Sequence, residues 1–236
     1  MKIFRQRLIL GTIAALLLLS FSVPTAAQKS RMQDASRHSR EAADVFTEIM
    51  NVRERAIPKE LLDKAEAIAV FPDVVKAAFV FGAKGGQGLI SRRIRGGWSA
   101  PAFFNLSGGS FGLQIGASKT DYVLLIMNDA GVNGLLRDKF EIGGEVGVAA
   151  GPVGREAAAS TDAMLQAGIL SYSRSKGAFI GAALKGAAIS PDNDLNEAVY
   201  KKKASQLLTE RSPIKLADMP PGVRIFPRTL ARYSIK

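Results

Sequence analysis

The sequence predicts an α+β fold in which helices flank a strongly curved, antiparallel, barrel-like β-sheet. Apolar residues recur at helical spacing over residues 41–50 and again after Pro58. After Asp73 the period shortens, and glycine-rich turns separate short apolar runs, as an antiparallel sheet requires. Glycines also fall inside these runs, where they indicate bends, and helical spacing returns over residues 192–208.

The N-terminal helices are predicted from the first two apolar stripes. Residues 28–40 are polar and basic, so we expect a flexible segment there, with His38 on the surface. The first amphipathic helix then begins near Glu41. Pro58 occupies a position at which proline can begin a second helix, whose apolar stripe continues to Ala69 and ends at Pro72.

The strands are predicted from short apolar runs bounded by Gly, Asn and Asp, at residues 77–81, 88–94, 98–106, 110–117, 122–127, 140–150, 168–173 and 178–189. The glycine-rich stretch 82–88 is interpreted as a tight hairpin, because it lacks the spacing of a phosphate-binding loop. Residues 131–138 are expected to form a short helix, and 157–167 fit either a strand or a helix. The tail from Pro213 is expected to be extended.

Composition excludes several classes of catalytic site. The chain of 236 residues has no cysteine and one histidine, so disulfides, thiolate chemistry, cysteine-bound metals and a histidine-based triad are excluded. Glu141 and Glu145 would share one face of a strand, where exposed carboxylates are commoner than catalytic ones. We therefore predict a protein that is not an enzyme and has no cofactor and no metal.

Residues 1–27 predict export. Lys2, Arg5 and Arg7 precede an uncharged apolar run over residues 8–23, and small residues follow, as in a secretory signal peptide. The run is short for a membrane span, although an uncleaved anchor is the alternative. Removing residues 1–27 would reduce the formal net charge from +11 to +8. An exported basic protein seldom meets nucleic acid, so the charge favours anionic lipid and a peripheral membrane location outside the cytoplasm.

Basic residues give the strongest signal for a binding site. Arg93 and Arg95 would share one face of a strand, with Arg92 on the other face and Trp98 close by. A guanidinium group binds phosphate through several donors, and an indole is well suited to a membrane interface. A second group consists of Arg174 and Lys176. Together these residues predict a site for an anionic phospholipid headgroup.

Ordered sequence blocks over about 140 residues resemble the SYLF domain, also known as the actin-binding domain of yeast SH3-containing proteins. The blocks are AEAIAVFP (65–72), KGGQG (84–88), WSAP (98–101), GGSFGLQIG (108–116), AAGPVGR (149–155), SYSRSKG (171–177) and FIGAALKG (179–186). The resemblance implies a lipid-binding module without known catalysis, in which an amphipathic N-terminal helix and nearby basic residues contact the membrane. Three further cations lie in these blocks and complete the predicted lipid-binding set, namely Lys84, Arg155 and Lys185.

The resemblance also implies a domain organisation and a set of partners. We expect a signal peptide (1–27), the flexible segment (28–40), the SYLF-like domain (41–210) and a basic, proline-containing tail (211–236). Eukaryotic members bind phosphoinositides, and some bind actin filaments. A bacterial exported member would meet neither, so we expect anionic phospholipid as the partner and do not expect actin. The alternative is a structural envelope protein that binds a protein or glycan.

Overall fold

The computed structural model describes residues 25–52, 56–78, 81–111, 116–144, 146–154, 167–175, 178–181, 184, 186–209 and 214–234. The predicted signal peptide lies almost entirely outside these residues, and the export of the chain stays a prediction. Among the helices in the described ranges, none is both long and apolar enough to cross a bilayer.

The first helix, α1 (Thr25–Asn51), is longer than predicted. Its apolar side is fully buried at Ala35, Phe46 and Ile49, and His38 is only 6% exposed. The expectation of a flexible segment at 28–40 with a surface histidine is therefore wrong. The cause is a tertiary contact that the polar sequence hides. The turn Pro221–Val223 packs on this half of α1, where Oγ of Ser39 donates to the carbonyl oxygen of Val223 at 3.5 Å.

The second helix, α2 (Lys59–Lys64), is shorter than predicted, because a strand begins where the apolar stripe continues. That strand, β1 (Ala67–Ala78), is buried on both faces at Ile68, Ala69 and Val70. A short, continuously apolar run of this kind fits a buried strand and a buried helix equally well. Pro72 does not end the strand, since it lies in an irregularity of the β1 register.

The sheet contains ten strands in the described part of the chain. After β1 they are β2 (Phe81–Ile94), β3 (Gly97–Trp98), β4 (Ala102–Phe111), β5 (Gly116–Ile126), β6 (Phe140–Glu141), β7 (Val148–Ala150), β8 (Ile169–Ser175), β9 (Ala178–Gly181) and β10 (Ala187–Pro191). Their order is β6-β10-β4-β2-β1-β5-β8-β7, with β3 beside β2 and β9 beside β8. All pairs are antiparallel except β7 with β8, where the antiparallel prediction is wrong.

The predicted hairpin at 82–88 is instead part of the long strand β2. The glycines there permit close packing against β1. A Cβ atom on Gly88 would lie 2.3 Å from the carbonyl oxygen of Val70 and 2.5 Å from the ring of Phe71. Glycine is thus required at position 88 because β1 approaches β2 too closely there for a side chain, and not because the chain turns.

Helices α3 (Asp129–Leu135), α4 (Asn193–Tyr200) and α5 (Ala204–Leu207) follow the sequence predictions closely. The helix expected over 192–208 is divided into two, because Lys201 ends α4 in the left-handed conformation, with φ of 57°. The segment 157–167 lies outside the described residues except for Ala167.

Residues 214–234 are folded, which corrects the prediction of an extended tail from Pro213. Two 3-10 turns, Leu216–Asp218 and Pro221–Val223, lead into α6 (Ile225–Ser234). Val223, Phe226 and Leu230 are fully buried, and Phe46 of α1 makes an edge-to-face ring contact with Tyr233. The domain therefore extends beyond residue 210. The predicted class, an α+β fold with a strongly curled sheet between N-terminal and C-terminal helices, is confirmed.

The strand register distinguishes the two faces of the sheet. Asp121 of β5 pairs with Arg174 of β8, so their side chains share a face. Arg174 also forms an ion pair with Glu48 of α1, and we call this side the α1 face. Ser118 is three positions before Asp121 on a regular stretch of β5 and therefore points to the other side, which we call the opposite face.

Candidate functional site

Arg93 and Trp98, two of the predicted lipid-binding residues, are engaged inside the protein. The Arg93 guanidinium lies 4.5 Å from the centre of the Trp98 ring system. It donates hydrogen bonds to the carbonyl oxygens of Leu62 (2.5 Å), Ala65 (3.0 Å) and Ser234 (3.3 Å). Trp98 is 5% exposed. These contacts fasten the ends of α2 and α6 to the sheet, so both side chains have a structural role that the sequence did not reveal.

Arg92 and Arg95 differ in exposure. Arg92 donates to the carbonyl oxygen of Leu208 at 3.2 Å, and its guanidinium lies 3.7 Å from the Asp129 carboxylate. Arg95 is exposed in the turn before β3. A pocket of about 320 Å³ opens beside this turn between Trp98 and α6. Within the predicted group at 92–98, Arg95 is therefore the cation that solvent reaches most freely.

Arg174 is part of a polar network on the α1 face. Its Nε donates to Oδ2 of Asp121 at 2.7 Å, and its Nη1 pairs with Glu48. The other carboxylate oxygen of Asp121 accepts a hydrogen bond from the backbone N–H of Asp73 at 2.8 Å. Asp73 is held at φ of 49° where the β1 register shifts. The network therefore joins α1, β8, β5 and the bulge in β1. Three other predicted lipid-binding residues lie outside the described residues, namely Arg155, Lys176 and Lys185.

Lys84 lies on the opposite face, beside a lysine that the sequence analysis missed. Lys84 of β2 pairs with Lys76 of β1, and their strand neighbours in the same row are Gly108 and Ser118. Lys76 is exposed and Lys84 is half-buried. The side chain of Lys84 lies across Gly108, because a Cβ atom there would be 2.7 Å from Cε of Lys84. We call Lys76 and Lys84 the lysine pair.

The lysine pair has no carboxylate partner among the described residues. Burial lowers the pKa of Lys84, and the positive charge of Lys76 lowers it further. Within the described ranges, no carboxylate forms an ion pair with either ammonium group. By contrast, Lys119 on the α1 face is paired with Asp73 at 3.0 Å. The lysine pair is thus a doubly positive position, at which Lys84 is half-buried and Lys76 is exposed.

Apolar side chains begin directly beside the lysine pair. The next row inward on the opposite face contains Val74, Gly86 and Leu106, and both Val74 and Leu106 are at most 2% exposed. The row after it contains Phe71 and Phe104, which are also buried. On this face the charged row and the first apolar row are two residues apart along each strand, a distance of about 7 Å. The lysine pair therefore lies at the edge of the packed core.

Of the carboxylate pair that the sequence offered, Glu141 and Glu145, the structure describes Glu141 alone. Glu141 is exposed and lies 3.5 Å from Nζ of Lys139, and Glu145 is outside the described residues. In the described part of the chain, no group of three His, Asp or Glu side chains could hold a metal ion.

Comparison with known proteins identifies the family. The family model Ysc84, described as Las17-binding protein actin regulator, matches residues 107–233. The LAS seventeen-binding protein 3 of Saccharomyces cerevisiae is 35% identical over 151 residues, which cover 62% of this chain and 33% of that protein. An SH3 domain-containing protein of Schizosaccharomyces pombe is 33% identical over 171 residues (69% and 40%). The human SH3 domain-containing YSC84-like protein 1 is 31% identical over 176 residues (73% and 50%).

The chain spans half or less of the length of these three relatives. The family match extends across β10 and α4 to α6, which agrees with the packing of the C-terminal helix into the domain. More than half of the chain is matched, and the relatives agree with the family model. This chain therefore belongs to the Ysc84 family of SYLF domains.

Proposed function

We propose that this chain is a binding module for anionic phospholipid, in which the lysine pair holds a phosphate of the headgroup. The observation that carries the proposal is the position of Lys76 and Lys84 on neighbouring strands, with no carboxylate partner in the described residues and with buried apolar side chains one row away.

Electrostatics supports a phosphate at this position. Directly paired residues on neighbouring strands have Cβ atoms about 5 Å apart, so two like charges there destabilise the sheet. A phosphate between the ammonium groups of Lys76 and Lys84 would replace repulsion by two charge-assisted hydrogen bonds. It would also offset the cost of burial that lowers the pKa of Lys84. A phosphate of an anionic lipid would therefore stabilise the pair.

The apolar contact with lipid is proposed to differ from the sequence expectation. Insertion of α1 or Trp98 would require undocking, because their apolar groups are packed in the core. Val75, next to the lysine pair in β1, is 44% exposed on the α1 face of the strand. We therefore propose that the outer ends of β1 and β2 approach the bilayer edge-on, with Val75 at the lipid interface.

Export belongs to the same proposal. If residues 1–27 act as a signal peptide, the domain meets a membrane from the periplasmic or extracellular side. Fractionation of the producing cells, followed by N-terminal sequencing, tests this. A new N-terminus at Gln28 in an exported fraction is expected. Intact chain in the cytosol would contradict it.

Flotation with vesicles tests the lipid proposal. The full chain is mixed with vesicles of phosphatidylglycerol, cardiolipin or phosphatidylcholine at low salt. The apolar run at 8–23 can itself bind lipid, so the informative quantity is the preference for anionic over neutral vesicles. Neutralisation of two lysines near a membrane costs about 2 kcal/mol. Lys76→Gln/Lys84→Gln should therefore reduce this preference about thirtyfold.

The matched control is Lys59→Gln/Lys139→Gln, which removes the same charge from two exposed lysines that face Asp63 and Glu141. It should leave the preference nearly unchanged. Equal losses in the two double variants would assign binding to net charge and contradict the site. An absence of preference in the unaltered chain would contradict lipid binding itself.

A protein partner is the second candidate, because the family is described as Las17-binding and one relative is named a LAS seventeen-binding protein. A stoichiometric partner that is recovered equally well with the unaltered chain and with Lys76→Gln/Lys84→Gln, in the absence of any preference for anionic vesicles, would favour this candidate.

A further inference from the structure

A second surface combines exposed apolar and basic side chains at the C-terminal end of the domain. Leu216 is 39% exposed and Ile225 is 38% exposed, two of the few large apolar side chains on the described surface. On α6, Arg228 and Arg232 are exposed three and seven positions after Ile225, so the three side chains share one side of the helix. We call Leu216, Ile225, Arg228 and Arg232 the C-terminal face.

Hydrogen bonds from Arg224 join the two parts of this face. Its Nε donates to the carbonyl oxygen of Met219 at 2.6 Å, and its Nη2 donates to that of Ala217 at 2.8 Å. The turn Leu216–Asp218 is thereby fixed to the residue directly before Ile225. The two exposed apolar side chains therefore belong to one ordered unit, which packs on α1 through buried Phe226 and Leu230.

The charge of this unit selects an anionic partner. Residues 214–234 contain four basic residues and one acid, so their net charge is +3. The face combines Ile225, which Arg228 and Arg232 flank on one side of α6, with Leu216 of the turn before it. This arrangement is typical of helices that lie on a bilayer, because the apolar groups enter the interface while the cations contact phosphate. An anionic membrane therefore fits this surface better than an extended peptide, which needs a groove.

The C-terminal face and the lysine pair are on different sides of the sheet. Lys76 and Lys84 share a row with Ser118 on the opposite face. By contrast, α6 packs on α1, which covers the α1 face. Its end is bound to Arg93 and Trp98, which pair with each other across β2 and β3. Lys84 and Arg93 are also nine positions apart in β2, about 30 Å along the strand, so a bilayer at the outer ends of β1 and β2 does not reach the part of α6 that Arg93 binds.

We propose that the C-terminal face is a second contact surface for anionic membranes, so that one chain can hold two bilayers together. This inference rests on the proposed function of the lysine pair, because tethering needs both surfaces.

Vesicle clustering, monitored by light scattering, tests the proposal with the full chain and phosphatidylglycerol vesicles. The unaltered chain should increase vesicle size at low salt. Leu216→Ser/Ile225→Ser should still float with the vesicles but should cluster them at least about tenfold more slowly, since the apolar contact is lost. The matched control is Val52→Ser, which removes an apolar side chain that is 45% exposed at the end of α1. It should cluster vesicles normally.

A second readout locates the contact directly. The chain has no cysteine, so Ile225→Cys and Val52→Cys each provide a single attachment point for an environment-sensitive dye. The dye at 225 should shift to the blue with anionic vesicles, and the dye at 52 should not.

The outcomes separate this proposal from the lipid proposal. A chain that floats with anionic vesicles but neither clusters them nor shifts the dye at 225 would overturn the second surface and leave the lysine pair intact. A chain that shows no preference for anionic vesicles would overturn both. If Leu216→Ser/Ile225→Ser abolishes a dimer that forms without lipid in sedimentation experiments, the C-terminal face is a contact between copies, and the proposal is overturned.

Discussion

Nε1 of Trp98 donates a hydrogen bond to Oγ of Ser234 at 3.0 Å, across a sequence separation of 136 residues. The Arg93 guanidinium binds the carbonyl oxygen of the same serine. An arginine and a tryptophan that the sequence suggests for a membrane surface thus hold the C-terminal helix in place.

Replacement of Arg93 should therefore affect stability more than lipid binding. In Arg93→Lys, one ammonium group cannot reach the three carbonyl oxygens that the guanidinium binds, and buried acceptors lose their donors. We expect the free energy of unfolding, measured with urea, to fall by about 2 kcal/mol. Arg95→Lys is the control at an exposed position two residues away, with an expected change below about 0.5 kcal/mol. Equal effects in the two variants would contradict the fastening role of Arg93.

Asp121 should contribute to stability through its bond with Arg174. The side chains of Arg174 and Asp121 are 24% and 10% exposed, so Asp121→Asn disrupts a largely buried ion pair. We expect a loss of about 1–3 kcal/mol in the free energy of unfolding. Asp73→Asn is the control, because its pair with Lys119 is exposed on both sides and contributes little. A loss in Asp73→Asn as large as that in Asp121→Asn would contradict this ranking.

His38 should make stability depend on pH. Burial lowers the pKa of His38, and Arg37 lowers it further, while Glu41 acts in the other direction. The unfolded chain then binds a proton at a higher pH than the folded chain. Stability should fall as the pH decreases below the ordinary value of about 6.5, and this contribution should stop changing below the lowered pKa.

The measurement is the free energy of unfolding between pH 8 and pH 5. Because His38 is the single histidine of the chain, His38→Gln should remove this part of the slope. The slope for one proton is at most about 1.4 kcal/mol per pH unit. An unchanged slope in His38→Gln would show that carboxylates cause the dependence.

Gly151 should not tolerate a side chain. A Cβ atom there would lie 2.1 Å from Cζ of Tyr172, which is fully buried. Gly151→Ala should therefore reduce the free energy of unfolding by about 1–3 kcal/mol through overpacking. Gly109→Ala is the control, since no heavy atom lies within 4 Å of its Cβ position. Its stability should be unchanged or should rise by up to about 1 kcal/mol, and a comparable loss at both positions would contradict the contact with Tyr172.

The sequence predicts the fold class because glycine-rich turns and in-strand glycines are local signals. The prediction of strands fails where both faces of a strand are buried, because apolar and polar residues then no longer alternate. Ile68 and Val70 are examples, since the sequence predicts a helix there. The sequence prediction also fails at the C-terminus, although Val223, Phe226 and Leu230 are spaced at three and four positions and could have indicated a helix. Their basic and proline neighbours obscured that signal.

The candidate site was predicted only in part for a different reason. Lys84 lies in a family block, but Lys76 has no motif, and its importance depends on which residue faces it across β1 and β2. Cross-strand register is a non-local property, and the bulge at Asp73 shifts it in a way that alternation cannot predict. Similarly, the contacts of Arg93 come from segments up to 141 residues away.

Lysine acylation tests the central claim most directly, because it reports on each lysine without a mutation. The full chain is acylated briefly in buffer, with phosphatidylcholine vesicles and with phosphatidylglycerol vesicles, and modification is measured by mass spectrometry. We expect Lys76 and Lys84 to be protected by the anionic vesicles alone, while Lys59 and Lys139 react equally in all three samples. Unprotected Lys76 and Lys84 on a chain that is bound to phosphatidylglycerol would contradict the assignment of the headgroup site to the lysine pair.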